Sequence, residues 1–279
     1  MTQADGEQVS DGRTDTARGD TGRADTGRGD APGRDRSDRR AIGQGGPATG
    51  VPPAGLDAHL PAAAPRPGRT VLVAVLLLVA AGAAMWAALD TAGPGRLDAR
   101  FLGEAVESRT GGLNTVAVTI TEVGNTFAMG LLATLVGIRC WARGRRADAV
   151  FVVGAMAGAA LLFRGIKILV DRPRPPELTQ VVRESNESLP SGHATMSIVV
   201  IGSLVVLAWA GRGRAARTAM VVVAALWVGA VGSTRVYLGV HWFSDVVVGW
   251  LLGAAWLAAC AATWIWWRRA AVQPSPARP

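Results

Sequence analysis

Six long apolar runs lie between residues 71 and 267, and they constrain the fold more than any other feature. The runs are Val71–Leu89, Val116–Ile138, Ala149–Val170, Ala194–Ala210, Thr218–Ser233 and Val246–Trp267. A helix of about 20 apolar residues crosses a hydrocarbon core about 30 Å thick and satisfies its own backbone polar groups in lipid. The sequence therefore predicts an all-α, polytopic membrane protein, a bundle of six transmembrane helices. The pattern leaves the ends of the second and fifth spans open.

The first 69 residues have a different composition, with 10 Arg and 10 Asp or Glu among many Gly and Thr and few large apolar side chains. A segment of this kind buries too little apolar area to offset its ordering entropy. We predict a disordered cytoplasmic tail over residues 1–69, a membrane domain over residues 70–269 and a short C-terminal tail over residues 270–279.

The formal net charge is +8, and because residues 1–69 are balanced, all of it arises from the rest of the chain. A basic balance can indicate nucleic-acid binding. Here the cations alternate with apolar runs, so we predict a membrane as the partner and no nucleic acid. The sequence makes no prediction about oligomeric state.

Basic side chains are concentrated in alternate loops. Residues 139–146 contain four Arg and residues 212–217 contain three, whereas residues 90–112 and 171–193 each contain three Arg against four acidic residues. Cytoplasmic loops of membrane proteins carry the excess of Lys and Arg. This pattern predicts a multi-pass protein of the plasma membrane with both termini in the cytoplasm.

Most polar residues able to do chemistry in the membrane half fall in three islands on the predicted extracytoplasmic face. The islands are KILVDRPRP from Lys167, PSGH from Pro190, and STRVYLGVHWFSD from Ser233. Fixed cations stabilise the charge of a phosphoryl group in transfer, and backbone N–H groups at a helix start bind anions. The islands therefore indicate a phosphate site. Isolated Arg or Lys in such loops also snorkel to lipid headgroups, and we prefer that interpretation for Arg164, Arg172 and Arg183.

Two His residues and one carboxylate add acid–base and nucleophilic chemistry. His241 and Asp245 are four residues apart, so a helical turn would place them on one face. His193 begins the fourth span in another island. Two imidazoles at one membrane face allow one to attack phosphorus and the other to protonate the leaving oxygen.

The three islands together resemble the tripartite signature of the type 2 phosphatidic acid phosphatase superfamily: Lys, six residues, Arg-Pro; then Pro-Ser-Gly-His; then Ser-Arg, five residues, His, three residues, Asp. The matching residues are Lys167, Arg174, Pro175, Pro190–His193, Arg235, His241 and Asp245. Thr234 stands where the signature has Ser, and it retains a hydroxyl. The resemblance covers residues 71–267.

This resemblance implies a metal-independent phosphatase without a cofactor. It implies His241 as a nucleophile that forms a phosphohistidine, Asp245 as its partner, and His193 as the general acid. The residues that would bind the phosphate oxygens are Lys167, Arg174, Ser191, Gly192 and Arg235.

Bacterial proteins of this kind act on membrane lipid phosphates, and an outward-facing site suits undecaprenyl pyrophosphate, a polyprenyl carrier released during cell-wall synthesis. The alternatives are phosphatidylglycerophosphate or phosphatidic acid as substrate. A vanadate haloperoxidase-like enzyme and a non-catalytic lipid transporter are less favoured, because the chain has six apolar runs and complete catalytic islands.

Overall fold

The computed structural model describes residues 67–90 and 95–272, and all regular secondary structure in these two ranges is helical. The disordered tail predicted over residues 1–69 lies almost entirely outside the described residues, and so does most of the C-terminal tail. The helices are α1 (Pro67–Leu89), α2 (Gly95–Glu107), α3 (Gly111–Val123), α4 (Thr126–Ala142), α5 (Arg146–Val170), α6 (Gly192–Ala208), α7 (Arg214–Tyr237) and α8 (Phe243–Val272). A short 3₁₀ turn, Glu177–Thr179, lies between α5 and α6.

Four of these helices, α1, α5, α7 and α8, are long and apolar enough to cross a membrane. The predicted second span is two helices, α3 and α4, which meet at an angle of 42° and would count together as a fifth span. The bend falls at Asn125, whose side chain accepts a hydrogen bond from the Ala128 N–H and so starts a new helix. The prediction of an apolar helical bundle is confirmed. The predicted fourth span, α6, is apolar but has only 17 residues.

Helix α2 is not among the predicted elements, because its segment lies in a loop of nearly balanced charge between the first two runs. Leu97 and Phe101 are exposed, whereas Leu102 and Asp98 are buried. The Phe101 ring contacts the Phe243 ring at the start of α8, with 4.4 Å between centroids. Helix α2 is therefore packed against the end of α8 that carries the third island.

The core forms where α4, α5 and α6 meet, around Ala133, Ala159 and Met196. Helix α8 packs closely against α6, because Gly249 and Gly253 bring it up to the α6 backbone. A Cβ at Gly249 would lie 2.8 Å from the Ser191 carbonyl oxygen, and one at Gly253 would lie 2.9 Å from the Thr195 carbonyl oxygen. This approach brings the starts of α6 and α8, and with them the second and third islands, to one end of the bundle.

Candidate active site

The three islands meet in one polar cavity of about 360 Å³ at that end of the bundle. Side chains from all three islands line it, together with Glu184, Asn186 and Glu187 from the loop before α6. Two larger grooves, of about 750 and 660 Å³, lie elsewhere on the bundle and are lined by no ionisable side chain. The smaller cavity is therefore the candidate site for acid–base and phosphate chemistry.

His241 lines this cavity and lies in the short loop between α7 and α8. Its Nδ1 atom is 3.3 Å from Asp245 Oδ2, and its Nε2 atom is 3.2 Å from Arg174 Nη1. Because a guanidinium can only donate and a carboxylate can only accept, the proton belongs on Nδ1. Nε2 therefore carries the lone pair. Burial lowers the pKa of His241 to about 3 in spite of the opposing effect of Asp245, so the ring is neutral at physiological pH.

Asp245 is fully buried in the first turn of α8 and accepts hydrogen bonds on both carboxylate oxygens. Oδ2 accepts from the Ser188 hydroxyl, the Trp242 N–H and His241 Nδ1, and Oδ1 accepts from Arg172 Nη1. These donors hold the carboxylate in the charged form and fix the orientation of the imidazole. The predicted contact between His241 and Asp245 is thus present, but His241 precedes the first residue of α8, so the contact is made across the start of the helix and not along a helical face.

The cations predicted to bind phosphate hold the loop before α6. Lys167 Nζ donates to the carbonyl oxygen of Glu187 and lies 3.5 Å from Asn186 Oδ1. Arg174 donates through Nε to the Asn186 carbonyl oxygen at 2.6 Å and through Nη1 to the Val240 carbonyl oxygen. Both side chains line the cavity, so they fix its wall and present positive charge to its interior.

Arg235, near the end of α7, is 2% exposed. Its Nη1 donates to Thr121 Oγ1 at 2.8 Å and its Nη2 donates to Glu184 Oε1 at 2.6 Å. Glu184 Oε2 is also 3.9 Å from Arg174 Nη2. Burial raises the pKa of Glu184, but the ion pair with Arg235 outweighs it and the net effect lowers that pKa. An ionised carboxylate of the protein thus contacts two of the predicted phosphate ligands.

The two predicted phosphate ligands at the start of α6, Ser191 and Gly192, have different positions. Gly192 and His193 line the cavity. Ser191 is buried and does not line it. Its N–H donates to the Asp245 carbonyl oxygen at 3.0 Å, and its hydroxyl caps the helix by accepting from the Ala194 N–H. The His193 ring has no hydrogen-bond partner among the described residues, which leaves both ring nitrogens available to a substrate.

Several site residues were missed by the sequence reasoning. Arg172, interpreted as a headgroup contact, instead bridges Asp245 and Asp98 with its guanidinium. The short spacing of Arg172 from Arg174 was the available signal for it. Asp98 and Thr121 come from α2 and α3, far from the islands in sequence, and no local pattern identifies them. Arg164 is exposed and lines the rim of the cavity. Its contact with lipid headgroups stays a prediction.

Comparison with known proteins gives consistent matches. A profile of the PAP2 superfamily matches residues 148–270. Phosphatidylglycerophosphatase B of Bacillus subtilis (strain 168) is 29% identical over 170 residues, which cover 60% of this chain and 83% of that protein.

Two solved structures are also similar. The crystal structure of a transmembrane PAP2-type phosphatidylglycerolphosphate phosphatase from Bacillus subtilis aligns with a TM-score of 0.55 and 26% identity, over 69% of this chain and 92% of that one. The crystal structure of Aquifex aeolicus LpxE aligns with a TM-score of 0.47 and 20% identity, over 61% of this chain and 94% of that one. The superfamily profile spans the helices that carry all three islands, and the islands converge on one cavity. The chain therefore carries a PAP2 superfamily domain over residues 148–270 and is a membrane phosphatase.

Proposed function

We propose that the protein hydrolyses a phosphate monoester of a membrane lipid through a phosphohistidine at His241. The observation that carries this proposal is the environment of the His241 Nε2 atom. This atom bears a lone pair, because the proton lies on Nδ1, which is hydrogen-bonded to Asp245. It lies beside Arg174 in a cavity that Lys167 and Arg235 also line. A nucleophile with an orienting carboxylate and fixed cations around it is what phosphoryl transfer requires.

In the first step, the Nε2 lone pair attacks phosphorus, an N–P bond forms and the P–O bond to the lipid breaks. Arg174 has to release Nε2, and its N–H group then becomes available to a phosphate oxygen. The developing imidazolium charge is stabilised by Asp245 through Nδ1–H. The bound phosphate anion favours the protonated form of His193. His193 then gives its proton to the leaving lipid alkoxide, which departs as an alcohol.

In the second step, the now neutral His193 takes a proton from water, and the water oxygen attacks phosphorus. The N–P bond breaks, the electron pair of that bond returns to His241 Nε2, and inorganic phosphate leaves. Lys167, Arg174 and Arg235, with the Gly192 backbone N–H, stabilise the charge on the phosphate oxygens in both steps. Ser191 contributes by capping α6 and holding the Asp245 backbone, and not by direct contact with phosphate.

Phosphatidylglycerophosphate is the substrate that we favour. Both Bacillus subtilis matches are named as phosphatases of this lipid. The alignments with this chain cover 83% of one matched protein and 92% of the other. Undecaprenyl pyrophosphate, the leading expectation from sequence, rests on the family resemblance and on the predicted outward-facing site. Phosphatidic acid contains the same type of monoester and belongs in the same test.

Six membrane spans, with both termini in the cytoplasm and the cavity on the extracytoplasmic face of the plasma membrane, complete the proposal. Helix α6 has 17 residues and so rises about 25 Å, at the short end of the range that spans a bilayer. Counting α6 and the bent α3–α4 pair gives six. The basic loops at residues 139–146 and 212–217 then lie in the cytoplasm.

The decisive experiment measures phosphate release from purified phosphatidylglycerophosphate, phosphatidic acid and undecaprenyl pyrophosphate by the wild-type protein and by His241→Ala. We expect the fastest turnover with phosphatidylglycerophosphate and no turnover of any lipid by His241→Ala. Turnover near the wild-type rate by a pure His241→Ala protein would refute the mechanism. A preference for undecaprenyl pyrophosphate would replace the substrate and leave the mechanism intact.

Sidedness is tested separately by single cysteines in a background with Cys140→Ala and Cys260→Ala. Ser185 is exposed in the loop before α6, and Arg143 is exposed after α4. Ser185→Cys should react with an impermeant thiol reagent in intact cells, and Arg143→Cys only after lysis. The reverse pattern would place the cavity at the cytoplasmic face.

A further inference from the structure

We propose that Asp98 on α2 and Arg172 after α5 are positioning residues for the catalytic pair, which rests on the proposed function of His241 and Asp245. The Arg172 guanidinium lies between two carboxylates. Nη1 donates to Asp245 Oδ1 and, at 2.8 Å, to the Ser244 hydroxyl, while Nη2 donates to Asp98 Oδ2 at 2.8 Å. One cation is thus shared between the nucleophile's partner and a residue outside the signature.

Asp98 also fixes the start of α8. Its Oδ1 accepts from the Ser244 N–H at 2.8 Å and its Oδ2 accepts from the Ser244 hydroxyl at 2.6 Å. An N–H in the first turn of a helix has no partner within the helix, so this carboxylate supplies one. Asp98 is 3% exposed although most of α2 is at the surface. The network therefore holds the backbone and the side chain of the turn that carries Asp245.

The charges explain why such a network changes the chemistry. In water an exposed ion pair contributes little, but here Asp98 and Asp245 are buried and Arg172 nearly so. While Arg172 also pairs with Asp98, its attraction to Asp245 is weaker, and Asp245 keeps enough basicity to stabilise the His241 imidazolium. If Asp98 is neutral, Arg172 pairs with Asp245 alone, and this stronger pair reduces the stabilisation that Asp245 gives to the imidazolium. The expected consequence is slower phosphoryl transfer with little change in phosphate binding, because Lys167, Arg174 and Arg235 do not contact Asp98.

The test compares Asp98→Asn with Glu104→Gln, two isosteric substitutions on the same helix. Glu104 pairs with Arg100 on the surface, where the Glu104 and Arg100 side chains are 54% and 72% exposed, and its carboxylate makes no hydrogen bond to Asp98, Arg172 or Ser244. The measurements are kcat and KM on vesicles that contain the best substrate of the lipid panel, expected to be phosphatidylglycerophosphate, the inhibition constant of orthovanadate, and the midpoint of thermal unfolding. Orthovanadate reports the phosphate site alone, and the wild-type protein and His241→Ala are assayed beside the variants.

We expect Asp98→Asn to lower kcat at least about tenfold, equivalent to about 1.4 kcal/mol, with KM and the vanadate constant within about twofold. Glu104→Gln should match the wild type in every measurement. Arg172→Lys keeps the charge but offers one nitrogen where the guanidinium offers two, so it should show the same loss of kcat. It also serves as the test if Asp98→Asn does not fold.

Two results would overturn the positioning role. In one, the variants turn over like Glu104→Gln while His241→Ala is inactive. In the other, vanadate binding and folding are lost in parallel with kcat, which indicates a structural role only. An active His241→Ala protein would instead overturn the proposed function, so the two failures are distinguishable.

Discussion

Glu184→Gln should make the enzyme bind phosphate-like anions more tightly. This carboxylate contacts Arg235 at 2.6 Å and lies 3.9 Å from Arg174. Both arginines are proposed to bind the phosphate oxygens, so an incoming anion would have to compete with Glu184. Removing the negative charge of the competitor favours the anion-bound state.

The magnitude follows from the geometry of this contact. Arg235 is 2% exposed and Glu184 is 29% exposed, so the pair is partly screened by solvent. Glutamine keeps a hydrogen bond to the charged guanidinium but loses the ion-pair attraction. That attraction contributes about 0.2–1 kcal/mol in exposed pairs, and the burial of Arg235 places this pair at the upper end, about 1 kcal/mol. This corresponds to roughly fivefold tighter binding.

The assay is inhibition of lipid phosphate hydrolysis by orthovanadate and by inorganic phosphate. Glu187→Gln is the matched control, because Glu187 lines the same cavity but contacts Lys167 only through its backbone carbonyl group. We expect both inhibition constants to fall in Glu184→Gln and to change less than twofold in Glu187→Gln. If the constants rise in Glu184→Gln, the carboxylate orients Arg235 for phosphate and does not compete with it.

Three further predictions address stability, pH and metal. Gly239→Ala should lower the free energy of unfolding by more than about 1 kcal/mol, because φ is +72° and the new Cβ would lie 2.0 Å from the Thr179 carbonyl oxygen; Gly229→Ala, with nothing within 4 Å, should not. Because burial lowers the pKa of His241 to about 3, the ring stays neutral as the pH falls through 6.5, and phosphohistidine formation in a single turnover should show no loss with a midpoint near 6.5. Activity should survive excess chelator, since Lys167, Arg174 and Arg235 fill the cavity with positive charge; magnesium-restorable loss would contradict this.

The parts of the site that were predictable from sequence are those fixed by local geometry. His241 and Asp245 meet because they are four residues apart at the start of α8, where the Asp245 carboxylate turns back to the loop and accepts from the Trp242 N–H and His241 Nδ1. Lys167 and Arg174 follow from the end of α5 and the start of the next loop. Apolar length predicted α1, α5, α7 and α8 well, since a span is a property of composition alone.

The parts that escaped prediction depend on contacts between distant segments. Asp98 meets Ser244 across 146 residues, and Glu184 meets Arg235 across 51. A carboxylate in a polar loop gives no local sign of the guanidinium that it will face. Snorkelling was a reasonable interpretation of Arg172 for the same reason, because its two partners lie on helices that only the fold brings together. The α3–α4 bend has a local cause in Asn125, but its angle depends on packing.

The balance of charge in the site bears on which lipid headgroup it accepts. The ion-pair network and cavity hold four buried or nearly buried cations, Lys167, Arg172, Arg174 and Arg235, and three carboxylates, Asp98, Glu184 and Asp245. At the more exposed rim, Arg164 and Glu187 add one charge of each sign. His193 is protonated in the first step, and Glu184 still lines the cavity when a substrate displaces it from the arginines. Five positive charges then face three carboxylates, and the net two positive charges balance a phosphate monoester dianion. A lipid pyrophosphate brings further negative charge into the same buried space, where uncompensated charge is costly. This balance favours a monoester headgroup, as in phosphatidylglycerophosphate, over the polyprenyl pyrophosphate that loop charges alone suggested.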